Sequence, residues 1–162
     1  TIVIRPEESE AAYILRKIER DNIIHEVSKE FKCHNIIVLA RYVSQKNRLK
    51  EKFGKKIIIM NKVVDGKSLL NITDLFIGSG GTMTAEAALM GIPTISYHAV
   101  PNHIEKYLVR IGLVKRETNP KKISTLIKKM LNDTKVNREK AKAVLSFMED
   151  PYLKLVEVIK MK

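Results

Sequence analysis

Apolar residues fall along this chain in two alternating rhythms. Short runs at 2–5, 35–40 and 57–60 are dense in Ile and Val, 75–77 reads Leu-Phe-Ile, and 94–97 follows Pro93 as Thr-Ile-Ser-Tyr, all of which suit strands buried in a sheet. Between them, apolar residues recur at three- and four-residue spacing, as in Ile24, Val27 and Phe31 or Ile123, Leu126, Ile127 and Met130. That spacing marks helices with one buried stripe. Helices are predicted over 23–31 with Asp21 or Asn22 as cap, 44–53 stopped by Gly54, a short turn at 68–72, 82–90 ended by Gly91, and 102–111 closed by Gly112. Three more follow, over 121–133, 138–148 and 152–160, the last opened by Pro151. Residues 7–20 fit either a helix or an ordered loop. Strands alternating with helices predict an α/β fold, a three-layer αβα sandwich around a mostly parallel sheet. No repeat or low-complexity linker interrupts the pattern, so residues 1–162 read as a single domain.

In a parallel α/β sheet, ligands bind beyond the carboxyl ends of the strands. That rule singles out Arg5, Arg41, Asn61 and the turn at 79–82, each of which follows a predicted strand. The last of these lies in DLFIGSGGTMTAEAALMGIPTISY, residues 74–97. Here a buried strand runs into a glycine-rich turn and then a helix, the context a phosphate cradle requires. Gly78, Gly80 and Gly81 permit backbone angles and close approaches closed to other residues. The helix after them starts with unpaired N–H groups and partial positive charge, where an anion fits. Glu86 lies one turn inside, and its side chain leans back toward the mouth. There it would repel a phosphate but accept hydrogen bonds from a neutral diol such as a ribose. Arg5 and Arg41 offer charge-assisted contacts to a diphosphate. A plainer account stays open for each feature: glycines for tight strand-to-helix packing, an acid complementing a helix dipole, and arginines that are solvated or paired with nearby acids.

The same stretch resembles the donor-binding segment of GT-B-type glycosyltransferases and of UDP-N-acetylglucosamine 2-epimerases. It is most similar to an archaeal glycosyltransferase-like family with a "DG-SLL … ADL-IG-GGTM-EAALLG-P" pattern. In this chain the pattern reads Asp65-Gly66-Lys67-Ser68-Leu69-Leu70, then Thr73-Asp74-Leu75, then residues 77–93. Weaker likeness extends to Ile4-Arg5-Pro6, Leu39-Ala40-Arg41 and Lys106-Tyr107-Leu108. The resemblance implies a Rossmann-like domain that holds a nucleotide sugar, UDP-linked, and forms the C-terminal half of a two-domain protein. It implies that Ser79, Gly80, Gly81 and Thr82 hold the diphosphate and Glu86 the ribose. Val64 and Asp65 would meet the base through backbone groups, and Asn102 and His103 would lie near the donor sugar, as polar residues do in the peptidoglycan N-acetylglucosaminyl transferase. The catalytic base is expected in the N-terminal domain, leaving this domain able to bind but not to turn over. The signature is one residue longer between Gly81 and Gly91 than the epimerase form, which favours a transferase; an epimerase domain and a non-catalytic interaction module stay as alternatives.

Charge adds a third alternative, a basic nucleic-acid binder. The net charge is +12, but residues 68–105 contain no Lys or Arg and three acids, so the basic excess lies on either side of the cradle. Helix 121–133 carries its lysines around an apolar stripe, as a solvated surface helix does. No nucleic-acid motif accompanies them and Trp is absent, so no specific nucleic acid is expected. A weak attraction to anionic membrane surfaces is retained as an expectation. No run approaches the length of a membrane-spanning helix. Cys33 is the lone cysteine, which fits a reducing, cytoplasmic setting. The four histidines lack ligand spacing, so neither a metal nor a cofactor is expected. A dinucleotide fingerprint, a P-loop and a phospho-acceptor aspartate at a strand end are all missing. The apolar face of the last helix, Leu153, Val156 and Ile159, predicts contact with another domain or a homodimer. The start, TIVIRPEE, enters directly as a strand without a leader or an initiator Met; with the resemblance this is expected of an excised C-terminal half, and processing or trimming of a longer chain would give the same beginning.

Overall fold

A computed structural model describes residues 1–7, 21–60, 63–97, 101–132 and 134–160. Most of the segment 7–20 and Asn61 lie outside the described residues. Six strands form one sheet: β1 (Ile2–Ile4), β2 (Ile36–Val38), β3 (Ile58–Ile59), β4 (Leu75–Gly78), β5 (Thr94–Ser96) and β6 (Val114–Arg116). All neighbours pair in parallel, in the order β3-β2-β1-β4-β5-β6. This is the doubly wound, Rossmann-like arrangement, whose chain reverses direction of travel between β1 and β4. The helices are α1 (Asn22–Glu30), α2 (Val43–Phe53), α3 (Gly66–Asn71), α4 (Thr82–Leu89), α5 (His103–Arg110), α6 (Pro120–Asn132), α7 (Thr134–Ser146) and α8 (Pro151–Lys160).

Side-chain alternation sorts the core into layers. Ile2, Ile4, Ile36, Val38, Leu75, Ile77 and Ile95 point to one face, where they meet Ile24 and Val27 of α1, Leu49 of α2, and Ile123 and Ile127 of α6. Val3, Ile37 and Phe76 point to the other, against Leu69 and Leu70 of α3 and Ala87 of α4. A third cluster joins Ala88 of α4, Leu108 of α5, Val114 of β6 and Ala141 of α7. Strands apolar on both faces are what a doubly covered parallel sheet requires.

The sequence pattern misses β6. Its residues Val114, Lys115 and Arg116 bury only the first, so the edge strand presents neither an apolar run nor an alternation long enough to register. The caps also differ from expectation. Asp21 occupies the N-cap of α1, but its side chain makes no capping bond. Its carboxylate instead pairs with Arg48 at 3.1 Å and Lys52 at 3.2 Å, fastening α1 to α2. α7 starts at Thr134 rather than 138. On α8, Tyr152, Leu153 and Ile159 are 79%, 67% and 64% exposed, so its apolar face is uncovered by the described residues. None of the described helices is long and apolar enough to cross a membrane.

Candidate functional site

The strand order brings the carboxyl ends of β1 and β4 side by side, with Ile4 opposite Ile77 and the Arg5 amide donating to the Ile77 carbonyl at 2.8 Å. A crevice opens there, at the reversal point of the sheet, where such folds hold ligands. It is a cavity of about 240 Å³ lined by Arg5, Arg41, Ser79, Gly81, Thr82 and Glu86, together with Gly66, Met83 and Thr84. Six of the residues singled out from sequence therefore share one wall. A second cavity of about 480 Å³ adjoins it and shares Arg5, Arg41, Gly66 and Met83. Leu39, Tyr42, Val64 and Leu69 help to line this larger space beside the two arginines, so it mixes apolar side chains with charged ones.

The cradle is built by two glycines with different duties. Gly78 ends β4 where α4 crosses it: a Cβ there would overlap the Thr84 hydroxyl and lie 2.6 Å from Phe76 Cε1. Only a hydrogen lets α4 sit this close to the sheet. Gly80 carries the turn, with φ at +83°, a conformation disfavoured for residues with a side chain. Gly81 needs neither property; its φ is −84°, and a Cβ at this position would meet nothing within 4 Å. Its value is exposure at the N-cap of α4, where the first amides of the helix are directed outward.

Arg5 and Arg41 are each fixed by groups that sequence reasoning missed. The Arg41 amide donates to Gln45 Oε1 at 2.8 Å, and Gln45 is buried, so α2 anchors the loop that carries this arginine. Tyr97 accepts from the Glu7 amide at 2.8 Å and donates to the Arg5 carbonyl at 3.5 Å, which ties the exit of β1 to the end of β5. The Tyr97 hydroxyl acts across 90 residues of chain and leaves no mark in a local pattern, whereas Gln45 lies only four residues from Arg41, at the start of α2.

Other expected residues take different positions. Asp65 lines neither cavity; its carboxylate accepts from the Ser68 amide at 2.8 Å and caps α3. Hydrogen bonds from the Ser68 side chain and then its amide hold the Asp65 carboxyl below the usual carboxylate range, with Lys67 adding to the effect. Asn102 and His103 also lie off the cavity walls. Asn102 caps α5 by accepting from the Glu105 amide at 2.8 Å, and its Nδ2 donates to the Gly80 carbonyl at 2.7 Å. His103 is exposed at the first position of α5. Glu105, which no sequence argument selected, is buried at 2% exposure beneath Gly80. Asn-x-x-Glu does resemble a capping box, but only the asparagine half forms, because the glutamate turns toward the glycine turn instead. Among the described residues no group of His, Cys, Asp and Glu is arranged to hold a metal ion.

Fold and crevice together define a class: a Rossmann-like α/β domain of the kind found in GT-B glycosyltransferases and UDP-GlcNAc 2-epimerases, with a glycine-turn cradle at its switch point. The chain belongs to the family described as "Protein of unknown function (DUF354)", whose model matches residues 1–161. An uncharacterized protein of Methanocaldococcus jannaschii is 34% identical over 152 residues, which cover 93% of this chain and 41% of that protein. The chain thus spans about two fifths of that relative's length. Among solved structures, UDP-GlcNAc 2-epimerase from Neisseria meningitidis bound to UDP-GlcNAc superposes with a TM-score of 0.66 at 14% identity, over 99% of this chain and 44% of the epimerase. The glycosyltransferase SnogD from Streptomyces nogalater superposes with a TM-score of 0.56 at 13% identity, over 99% of this chain and 41% of that enzyme.

Proposed function

We propose that this chain is the donor-binding domain of a glycosyltransferase, holding a UDP-linked sugar. One observation carries the reading: Arg5, Arg41, Ser79, Gly81, Thr82 and Glu86, drawn from three strand ends and a helix, line one crevice at the switch point. In this reading the diphosphate lies on the 79–82 turn, with Gly80 giving the turn its shape and the arginines adding charge. Glu86 accepts from the ribose hydroxyls. The base enters the adjoining cavity beside Val64. When the glycosidic bond breaks, the departing nucleoside diphosphate gains negative charge. Outward amides and a helix N-terminus fixed in advance stabilise that charge without having to reorganise.

The rest of the protein then supplies the acceptor site and the catalytic base, so the isolated domain binds without turnover. We read the exposed face of α8 as the surface that meets that missing N-terminal part, with homodimerisation as the outcome if that part is absent. The location is cytoplasmic, and the basic surface outside residues 68–105 gives a weak affinity for anionic membranes. A second reading, a 2-epimerase domain, has one observation in its favour, the higher TM-score against the epimerase fold than against the transferase.

Isothermal titration with UDP, UDP-N-acetylglucosamine, GDP and inorganic phosphate tests the binding claim. Uridine-selective heat that weakens about tenfold in Glu86→Ala, the scale of a lost pair of hydrogen bonds, is the expected result. Heat from phosphate alone, undiminished in Glu86→Ala, would reduce the crevice to a general anion site. Incubating the full-length protein with UDP-N-acetylglucosamine, with and without glycan acceptors, separates the two readings. C2-epimerised nucleotide sugar favours the epimerase, and acceptor-dependent release of UDP favours the transferase.

A further inference from the structure

We infer that Asn102 and Glu105, both at the first turn of α5, are positioning residues that clamp the Gly80–Gly81 peptide and aim its N–H into the crevice. The inference rests on the donor-binding reading for its consequence to a ligand, and on geometry for the clamp itself. Asn102 Nδ2 donates to the Gly80 carbonyl at 2.7 Å, while its Oδ1 is held by the Glu105 amide at 2.8 Å. Both ends of the carboxamide are therefore fixed, and so is the direction in which it pulls. In a planar trans peptide, the carbonyl of one residue and the N–H of the next point in opposite directions. Drawing the Gly80 carbonyl toward α5 turns the Gly81 N–H the other way, and Gly81 is among the residues that line the crevice.

Glu105 forms the floor of the same clamp. Its Oε1 accepts from the buried Ser96 hydroxyl at 2.5 Å and lies 3.6 Å from Arg116 Nε. Its Oε2 is fully buried without a hydrogen-bond partner among the described residues, and it abuts the space where a Gly80 side chain would be. A buried carboxylate oxygen without a partner is costly and calls for an explanation. Here the side chain fills the volume under the positive-φ glycine, so the turn rests on a wall held by β5 and β6 and cannot relax downward. The first turn of α5 thus holds the glycine turn at two points, the Gly80 carbonyl through Asn102 and the space beside the Gly80 Cα through Glu105. A cradle fixed before its ligand arrives loses less on binding.

The variant Asn102→Ser separates the clamp from the helix cap. Serine caps as well as asparagine and adds no charge near the anion, but its short side chain cannot also reach the Gly80 carbonyl. In this 162-residue chain, we expect a melting temperature close to wild type and an affinity for UDP about tenfold weaker, the equivalent of one lost positioning hydrogen bond. In amide-resolved spectra of the ligand-free protein, the Gly80 and Gly81 signals should move while those of α5 beyond its first turn stay. Unchanged UDP affinity, or unmoved Gly80 and Gly81 signals, overturns the clamp. If the wild type itself binds no UDP, the donor-binding reading falls, and the ligand-free spectra alone then decide whether Asn102 holds the turn.

Discussion

Replacing Gly78 with alanine adds one methyl group at the point where α4 lies against β4. The new Cβ would overlap the Thr84 hydroxyl and approach Phe76 Cε1 to 2.6 Å, well inside contact distance. Neither neighbour can yield, since Phe76 is 0% and Thr84 4% exposed. Overpacking a tight core costs about 1–3 kcal/mol, and two rigid neighbours put this site near the upper end of that range. With 162 residues, an unfolding entropy of about 2 cal/mol/K per residue converts a loss of about 2–3 kcal/mol to a melting temperature lower by roughly 6–9 °C. Calorimetry or thermal circular dichroism reads the shift directly. The strain also pushes the start of α4 away from β4, where the cradle amides sit, so UDP affinity should fall together with stability. Combining Gly78→Ala with Thr84→Ala removes the hydroxyl and leaves the residue 84 Cβ at 3.4 Å, a tolerable distance. The double variant should therefore lose less than the sum of the single losses. A Gly78→Ala protein whose stability stays within about 0.5 kcal/mol of wild type, the range of an ordinary surface change, would mean that α4 is not seated on the sheet in this way.

Three further outcomes follow from single contacts. Tyr97→Phe removes the hydroxyl that accepts from the Glu7 amide and should cost about 1 kcal/mol in denaturant unfolding; UDP binding should weaken modestly because Arg5 loses its brace, and an unchanged midpoint would refute the contact. Gln45→Leu keeps the buried volume but leaves the Arg41 amide without its acceptor, for which we expect a loss of about 1–2 kcal/mol and weaker UDP binding with reduced salt sensitivity. For Asp65, hydrogen bonding to the ionised carboxylate lowers its folded pKa, so it stabilises the fold above the ordinary carboxylate range and that contribution disappears as pH falls through the lowered folded value. Asp65→Asn should flatten this part of the acid-side stability profile, and an NMR titration of the carboxyl that shows no lowering would contradict the cap.

Which parts of this molecule were readable in advance follows from the range of the forces involved. Apolar runs and three-to-four spacing are set by whether a residue faces water or core, so β1, β2, β3, β4, β5 and the helices were legible within a few residues. The glycine turn and the arginines at strand ends were legible because backbone geometry and strand polarity are local properties. Strand order was not legible: nothing in residues 2–5 or 75–77 announces that the two will lie side by side, yet that adjacency creates the crevice. The edge strand β6 escaped because one buried residue makes no pattern. Short polar side chains were the least legible of all. Asp21, Asp65 and Asn102 each carry the same local signature, an N-terminal cap, but only Asp65 gives its side chain to the cap alone. Asp21 is taken by cations of α2 and Asn102 is shared with Gly80, 22 residues away. A hydrogen bond is satisfied by whichever partner folding brings within about 3 Å, and for residues distant in the chain that choice is made by the packing of the layers. The sequence determined that a parallel α/β domain with an anion-friendly turn would form; the tertiary structure decided which side chains converge on that turn and which of them hold it still.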